Sequence, residues 1–264
     1  MNTTRIDWAD ATWNPVTGCL HGCEYCYARK IAERFGGGRK LGEGVTVELE
    51  TPAYGKALVN WQDETKTDRL IPYPYDFTPT LHAYRLEEPA RKARARTIFV
   101  CSMADLFGEW VPDEWIKRVF EACEKAPQHR YLFLTKNPKR YETVLDRYFP
   151  PNMWFGWSQT GPMGDALNHS THSSIKSFVS LEPLLRPFER FNVRGLDWAI
   201  VGAETGNRKG KVMPEKAWID EIATACAANG IPIFMKESLR AIMGADFIQE
   251  FPWEVKPRID GTLM

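Results

Sequence analysis

The sequence has no apolar run long enough to cross a bilayer, and no heptad pattern, internal repeat or low-complexity tract. These absences exclude an integral membrane protein built from helices, a coiled coil and a solenoid. Neither sign of charge is in excess: 34 basic residues balance 34 acidic ones, so no whole-chain field draws the protein to nucleic acid or to a membrane. Any nucleic-acid contact must therefore come from a local patch. The opening residues, MNTTRIDWADATWNP, lack the apolar stretch of a secretory signal, so the expected location is the cytoplasm, where thiols stay reduced. Cysteine is scarce, with six among 264 residues, yet Cys19, Cys23 and Cys26 fall together as C-x3-C-x2-C. In a reduced protein such a cluster points to a metal or to redox chemistry rather than to a disulfide framework.

The length suits one domain over residues 1–264 with a large core. From about residue 95 onward, short β-rich runs alternate with helical stretches. The expected strands are Thr97–Cys101, Tyr131–Thr135, Trp154–Ser158, Ser177–Leu181, Trp198–Val201 and Ile231–Met235. Ala11–Val16 and Thr78–His82 are candidates for two more. The expected helices include Asp113–Lys125, Pro138–Tyr148 and Pro214–Ala228, the last ending at Asn229-Gly230. Nearly continuous apolar strands separated by helices predict a parallel sheet, and six to eight such units predict an α/β fold, a full or partial (β/α) barrel. A doubly wound open sheet is the alternative. Residues 36–76 read as an insertion or lid.

Each expected strand ends in polar residues, where an α/β barrel builds its active site. Ser102 and Asp105 follow the first strand, Thr135, Lys136 and Asn137 the second, and Ser158, Gln159 and Thr160 the third. Ser180 and Glu182 come next, then Glu204 and Thr205, then Lys236 and Glu237. The cysteine loop, residues 17–28, also follows a strand and should sit on the same rim.

Three thiolates from one short loop can hold three corners of a cubane iron–sulfur cluster, leaving the fourth iron open to a small molecule. Structural zinc ordinarily takes four protein ligands, and His21 would have to fold back within its own loop to complete a Cys3His set. Both remain as readings of these residues, with the cluster the better fit.

Cys19-Leu20-His21-Gly22-Cys23-Glu24-Tyr25-Cys26 resembles the signature loop of the radical S-adenosylmethionine (radical SAM) superfamily, C-x3-C-x-aromatic-C. WNPVTGC, FVCSMADLF, YLFLTKNP, FVSLEPL, AIVGAETG and PIFMKES resemble, in order, a phage- and bacterium-encoded radical-SAM-like family of uncharacterised function. The resemblance implies a [4Fe–4S] cluster on Cys19, Cys23 and Cys26, with S-adenosylmethionine on the open iron. A flavodoxin- or ferredoxin-like one-electron reductant would drive its cleavage to a 5′-deoxyadenosyl radical, which takes a hydrogen atom from substrate. Tyr25 would shield the cluster or approach the adenine. Superfamily members usually bind the methionyl group through a Gly-Gly-Glu-like segment after an early strand, which this sequence lacks. Ser102 and Asp105 are the positional substitutes, Ser158 and Glu182 further cofactor contacts, and Gly202-Ala203-Glu204 a later string that could reach cofactor or substrate.

Cys101 ends a strand and is either a hydrogen-atom donor to a product radical or a buried core thiol. Glu182 and Lys236 are candidate catalytic groups at strand ends; the bland readings are a pair between Glu182 and Arg186 on the next turn, and a lysine snorkelling at the rim. Ten tryptophans, and basic stretches at Arg91–Arg96, Lys136–Arg140 and Arg208–Lys211, favour a nucleic acid or nucleotide as substrate if they meet at the mouth. Modification of a peptide or small molecule is the parallel reading. A non-catalytic zinc- or Fe–S-stabilised nucleic-acid-binding module is the alternative from another class.

Overall fold

The computed structural model describes residues 1–39, 41–42, 44–57, 67–145, 149–162, 175–206 and 208–254. Its main sheet has eight strands, ordered β1 (Asn2–Thr3), β2 (Ala11–Trp13), β8 (Thr97–Val100), β9 (Arg130–Thr135), β10 (Met153–Ser158), β11 (Lys176–Leu181), β12 (Trp198–Val201) and β13 (Ile233–Met235). From β2 to β13 every neighbouring pair is parallel, and only β1 runs antiparallel at its edge. Five of the six strands expected beyond residue 95 lie within one residue of their predicted bounds; the last begins two residues later, at Ile233.

Strand side chains alternate, so successive residues enter different layers. Ile98, Val100, Tyr131, Phe133, Phe155, Val179, Val201 and Met235 pack outward against helices α2 (Asp113–Glu124) and α4 (Lys216–Ala228). Helix α2 buries Trp115, Ile116, Val119, Phe120 and Cys123, a stripe at helical spacing, and carries Asp113 and Glu114 where its N-terminal dipole favours negative charge. Full burial of each large apolar side chain contributes about 1.5–3 kcal/mol.

The other face packs on itself. Phe99, Leu132, Trp154, Phe178, Trp198 and Phe234 surround Trp8. The Trp8 ring lies 4.7 Å from Phe99 on β8 and 6.5 Å from Trp198 on β12. Those strands are four steps apart, about 19 Å in a flat sheet. One indole can touch both only because the sheet curls around it. The sheet does not close: β1 and β13 remain its two edges. The expectation of a full barrel is corrected accordingly. The N-terminal segment spans part of the gap, where Asp7 Oδ2 accepts from the Glu237 amide at 2.9 Å.

Thr80–His82 (β7) does not join the main sheet. It pairs with β3 (Val16–Thr17) and β4 (Val47–Leu49) in a separate three-stranded sheet. Also in the 36–76 segment, β5 (Tyr54–Ala57) and β6 (Thr67–Leu70) pair antiparallel as a two-stranded sheet. The helix expected over Pro138–Tyr148 is a 3-10 turn at Pro138–Arg140 followed by α3 (Tyr141–Val144); residues 146–148 lie outside the described residues. Because the seven strands are parallel, their polar C-terminal ends share one rim.

Candidate active site

The cysteine loop leaves β3 through Gly18, whose φ of +89° places it in the left-handed region. A Cβ there would also overlap the Thr78 carbonyl oxygen, so the position is closed to larger residues twice over. The Gly18 amide donates to Met103 O at 2.9 Å, which seats the loop against the segment after β8. Helix α1 (Tyr27–Phe35) starts directly after Cys26, whose Sγ caps it by accepting from the Arg29 amide at 3.3 Å. The sulfur thus faces the positive end of the helix dipole. Cys19 accepts from the His21 amide, and burial pushes its thiol up to about 12. Behind Cys19 and Cys26 lie Ala28, Ala32, Phe77 and Met103, an apolar backing.

His21 does not turn toward the cysteines' sulfurs for its hydrogen bond. Its Nε2 lies 2.7 Å from Asp105 Oδ2, and its ring meets Trp110 edge-on at 4.9 Å. Among the described residues no three His, Cys, Asp or Glu side chains converge on a single ion position. A cube asks for something else, since its corners are separate irons and each thiolate takes its own.

Asp105 is saturated. Its Oδ1 accepts from the Phe107 amide at 3.0 Å and from Thr135 Oγ1 at 2.7 Å; its Oδ2 takes the Lys136 amide at 2.8 Å in addition to His21. A carboxylate offers about four lone-pair directions, and all are used. Asp105 therefore ties the cysteine loop to the ends of β8 and β9, and a direct contact to a cofactor, expected from the sequence, has no lone pair left.

The other strand ends face the same space. Ser102 Oγ donates to Asn14 Oδ1 at 3.1 Å, and the Tyr27 hydroxyl donates to Ser102 O at 2.8 Å. Lys136 Nζ donates to Tyr25 Oη at 3.2 Å and to Ser158 Oγ at 3.1 Å. Lys236 forms an ion pair with Glu182 and lies 4.0 Å from Asp7. Gly202 makes room for that pair, because a Cβ there would stand 2.9 Å from Lys236 Cδ and 3.2 Å from Glu182 Cγ. Glu204, buried, receives Arg208 in bidentate fashion at 2.6 and 2.7 Å, which holds its carboxyl below the usual range. Arg208 also lies 3.8 Å from Glu24 in the cysteine loop.

Cys19, Cys23, Cys26, Tyr25, Ser102, Asp105, Ser158, Glu182, Glu204 and Lys236 all line one cleft of about 1060 Å³. Cys101 does not. Its φ of +58° turns the chain at the strand end, and its side chain joins the outer core, where burial pushes the thiol up to about 12. A thiol in that layer has no line to a ligand in the cleft, so the hydrogen-donor role is corrected to a core residue. The three basic stretches do not all meet: Lys136 lines the cleft and Arg208 reaches its edge through Glu204, whereas Arg96 lines a separate hollow of about 580 Å³ with Arg130 and Asn152 at the strands' opposite ends. Sequence reasoning missed Asn14 and Tyr27, and named Arg208 only as part of a basic stretch, not as the partner of Glu204. Asn14, directly after β2 in Trp-Asn-Pro, could have been found by the same strand-end rule.

A family model described as a protein of unknown function (DUF5131) matches residues 3–240, so the chain belongs to that family. No curated protein and no solved structure matches it.

Proposed function

We propose that this chain, from a family of unknown function, is a radical SAM enzyme whose curled, open sheet is a partial (β/α) barrel of the radical-SAM type. The observation that carries the reading is that three cysteines of one loop line the same cleft as the polar ends of seven parallel strands. Cys19, Cys23 and Cys26 would hold a [4Fe–4S] cluster. The fit rests on the amide donors aimed at Cys19 and Cys26, the apolar backing, and the engagement of His21 by Asp105. A bound cluster with S-adenosylmethionine supplies, on one-electron reduction, a 5′-deoxyadenosyl radical able to abstract a hydrogen atom.

The chain's own residues bind, orient and exclude water. Tyr25 stands in the cysteine loop and, through its hydroxyl, receives Lys136, so cluster loop and strand end are linked. Ser102 and the Glu182–Lys236 pair would offer hydroxyl and charged groups to the amino, carboxylate and ribose groups of the cofactor. Phe77, Phe99 and Met103 give the cleft dry walls, which shield a reactive species from water. The cluster would need an external one-electron donor of the flavodoxin or ferredoxin kind.

Paramagnetic resonance of the anaerobically reduced protein tests the reading. A reduced-cluster signal that shifts on addition of S-adenosylmethionine is expected; a signal indifferent to it would leave a cluster without the proposed cofactor.

A further inference from the structure

We propose that Lys136, with the hydroxyls of Tyr25 and Ser158, is the anchor for a phosphate group of the substrate. The inference rests on the cleft being the substrate-binding site proposed above, and deepens that reading by naming a substrate class, nucleotides or the phosphate backbone of a nucleic acid.

The charges around the cleft carry the argument. Five carboxylates line it: Asp7, Asp105, Glu182, Glu204 and Glu237. Each already faces a basic group. Asp105 has His21, Glu204 has Arg208, Glu237 has Arg240, and Glu182 and Asp7 share Lys236. Four Lys or Arg residues line it as well, namely Arg5, Lys30, Lys136 and Lys236. Among the described residues only Lys236 of these four has a carboxylate partner. Arg5 and Lys30 are exposed and solvated, but Lys136 is half-buried between β9 and the cysteine loop. A partly desolvated ammonium with no counter-ion favours an incoming anion.

Its hydrogen bonds fix the geometry. The ammonium has three protons, and two go to Tyr25 Oη at 3.2 Å and Ser158 Oγ at 3.1 Å. The third is left for a ligand. Both hydroxyls act as acceptors toward Lys136, so each keeps its own hydrogen to donate. One cation and two hydroxyl donors thus stand together, a set suited to an anion with three oxygens. Tyr73, half-buried on the same wall, offers a ring to a base.

The test uses the full-length protein without reductant. Calorimetry compares adenosine monophosphate, adenosine and succinate, and fluorescence anisotropy follows a labelled single-stranded DNA 12-mer. Wild type should bind the monophosphate, the 12-mer, or both, in preference to adenosine and succinate, by about tenfold or more. The salt slope of 12-mer binding should drop by about one in Lys136→Met. Lys136→Met should erase the preference while Lys136→Arg keeps most of it, and melting curves should show both variants folded. Preference for the monophosphate alone assigns a nucleotide, and preference for the 12-mer assigns a nucleic acid. Equal binding of phosphorylated and unphosphorylated probes, tighter binding of succinate, or a preference that survives Lys136→Met would overturn the anchor. None of these outcomes depends on cluster chemistry: failure to form 5′-deoxyadenosine sinks the radical reading and leaves this result standing.

Discussion

His21 and Asp105, 84 positions apart, meet at 2.7 Å and join the cysteine loop to the segment after β8. Three further donors converge on the same carboxylate, from Phe107, Thr135 and Lys136. Asp105→Ala would strand these donors in a buried place and should cost about 3 kcal/mol of stability. Asp105→Asn, which keeps one oxygen acceptor, should cost less. Urea unfolding at neutral pH measures both, and unchanged stability in the alanine variant would show that the hub is not structural.

Two glycines of the cysteine loop separate backbone strain from crowding. Gly18 and Gly22 both have positive φ, but a Cβ would overlap the 77–78 backbone only at Gly18, while Gly22 faces open space. Gly22→Ala should cost about 1 kcal/mol from the left-handed conformation alone. Gly18→Ala should cost clearly more and lower the iron retained per chain. Equal effects in thermal unfolding and metal analysis would contradict the close approach.

His82 makes the fold acid-sensitive. It is fully buried against Thr17 Oγ1 at 2.9 Å, and burial holds its pKa down at about 3. The unfolded chain takes up this proton below about 6.5 while the folded chain does not. Stability is therefore lost as pH falls from about 6.5 toward 3. His82→Gln should be less stable than wild type at pH 7, and the gap should narrow through that window. Denaturant titrations at a series of pH values check it.

Cys101 belongs to the outer core. Cys101→Ala should lose roughly 1 kcal/mol from the smaller side chain, and its iron content and 5′-deoxyadenosine yield should equal those measured for wild type. Loss of product formation with an intact cluster would return Cys101 to the chemistry.

Much of this arrangement was legible in the sequence because it depends on short-range patterns. Apolar runs such as Trp198–Val201 fixed their strands, and polar residues at their ends marked the rim. Pairing is a long-range matter. Thr80–His82 reads like the other strands, but its partners Val16–Thr17 and Val47–Leu49 take it into a side sheet. The orientation of Cys101 turned on one left-handed residue, and the saturation of Asp105 needed donors from His21, Phe107, Thr135 and Lys136. No local pattern encodes either. The gap at the sheet's edge was equally invisible, since it follows from how Trp8 and Asp7 pack.

The most direct measurement is metal and sulfide analysis of anaerobically reconstituted protein, coupled to product analysis after reduction with dithionite in the presence of S-adenosylmethionine. Wild type should hold about four irons and four sulfides per chain and release 5′-deoxyadenosine, and Cys23→Ala should do neither. One zinc per chain, or a full iron complement without 5′-deoxyadenosine, would contradict the account.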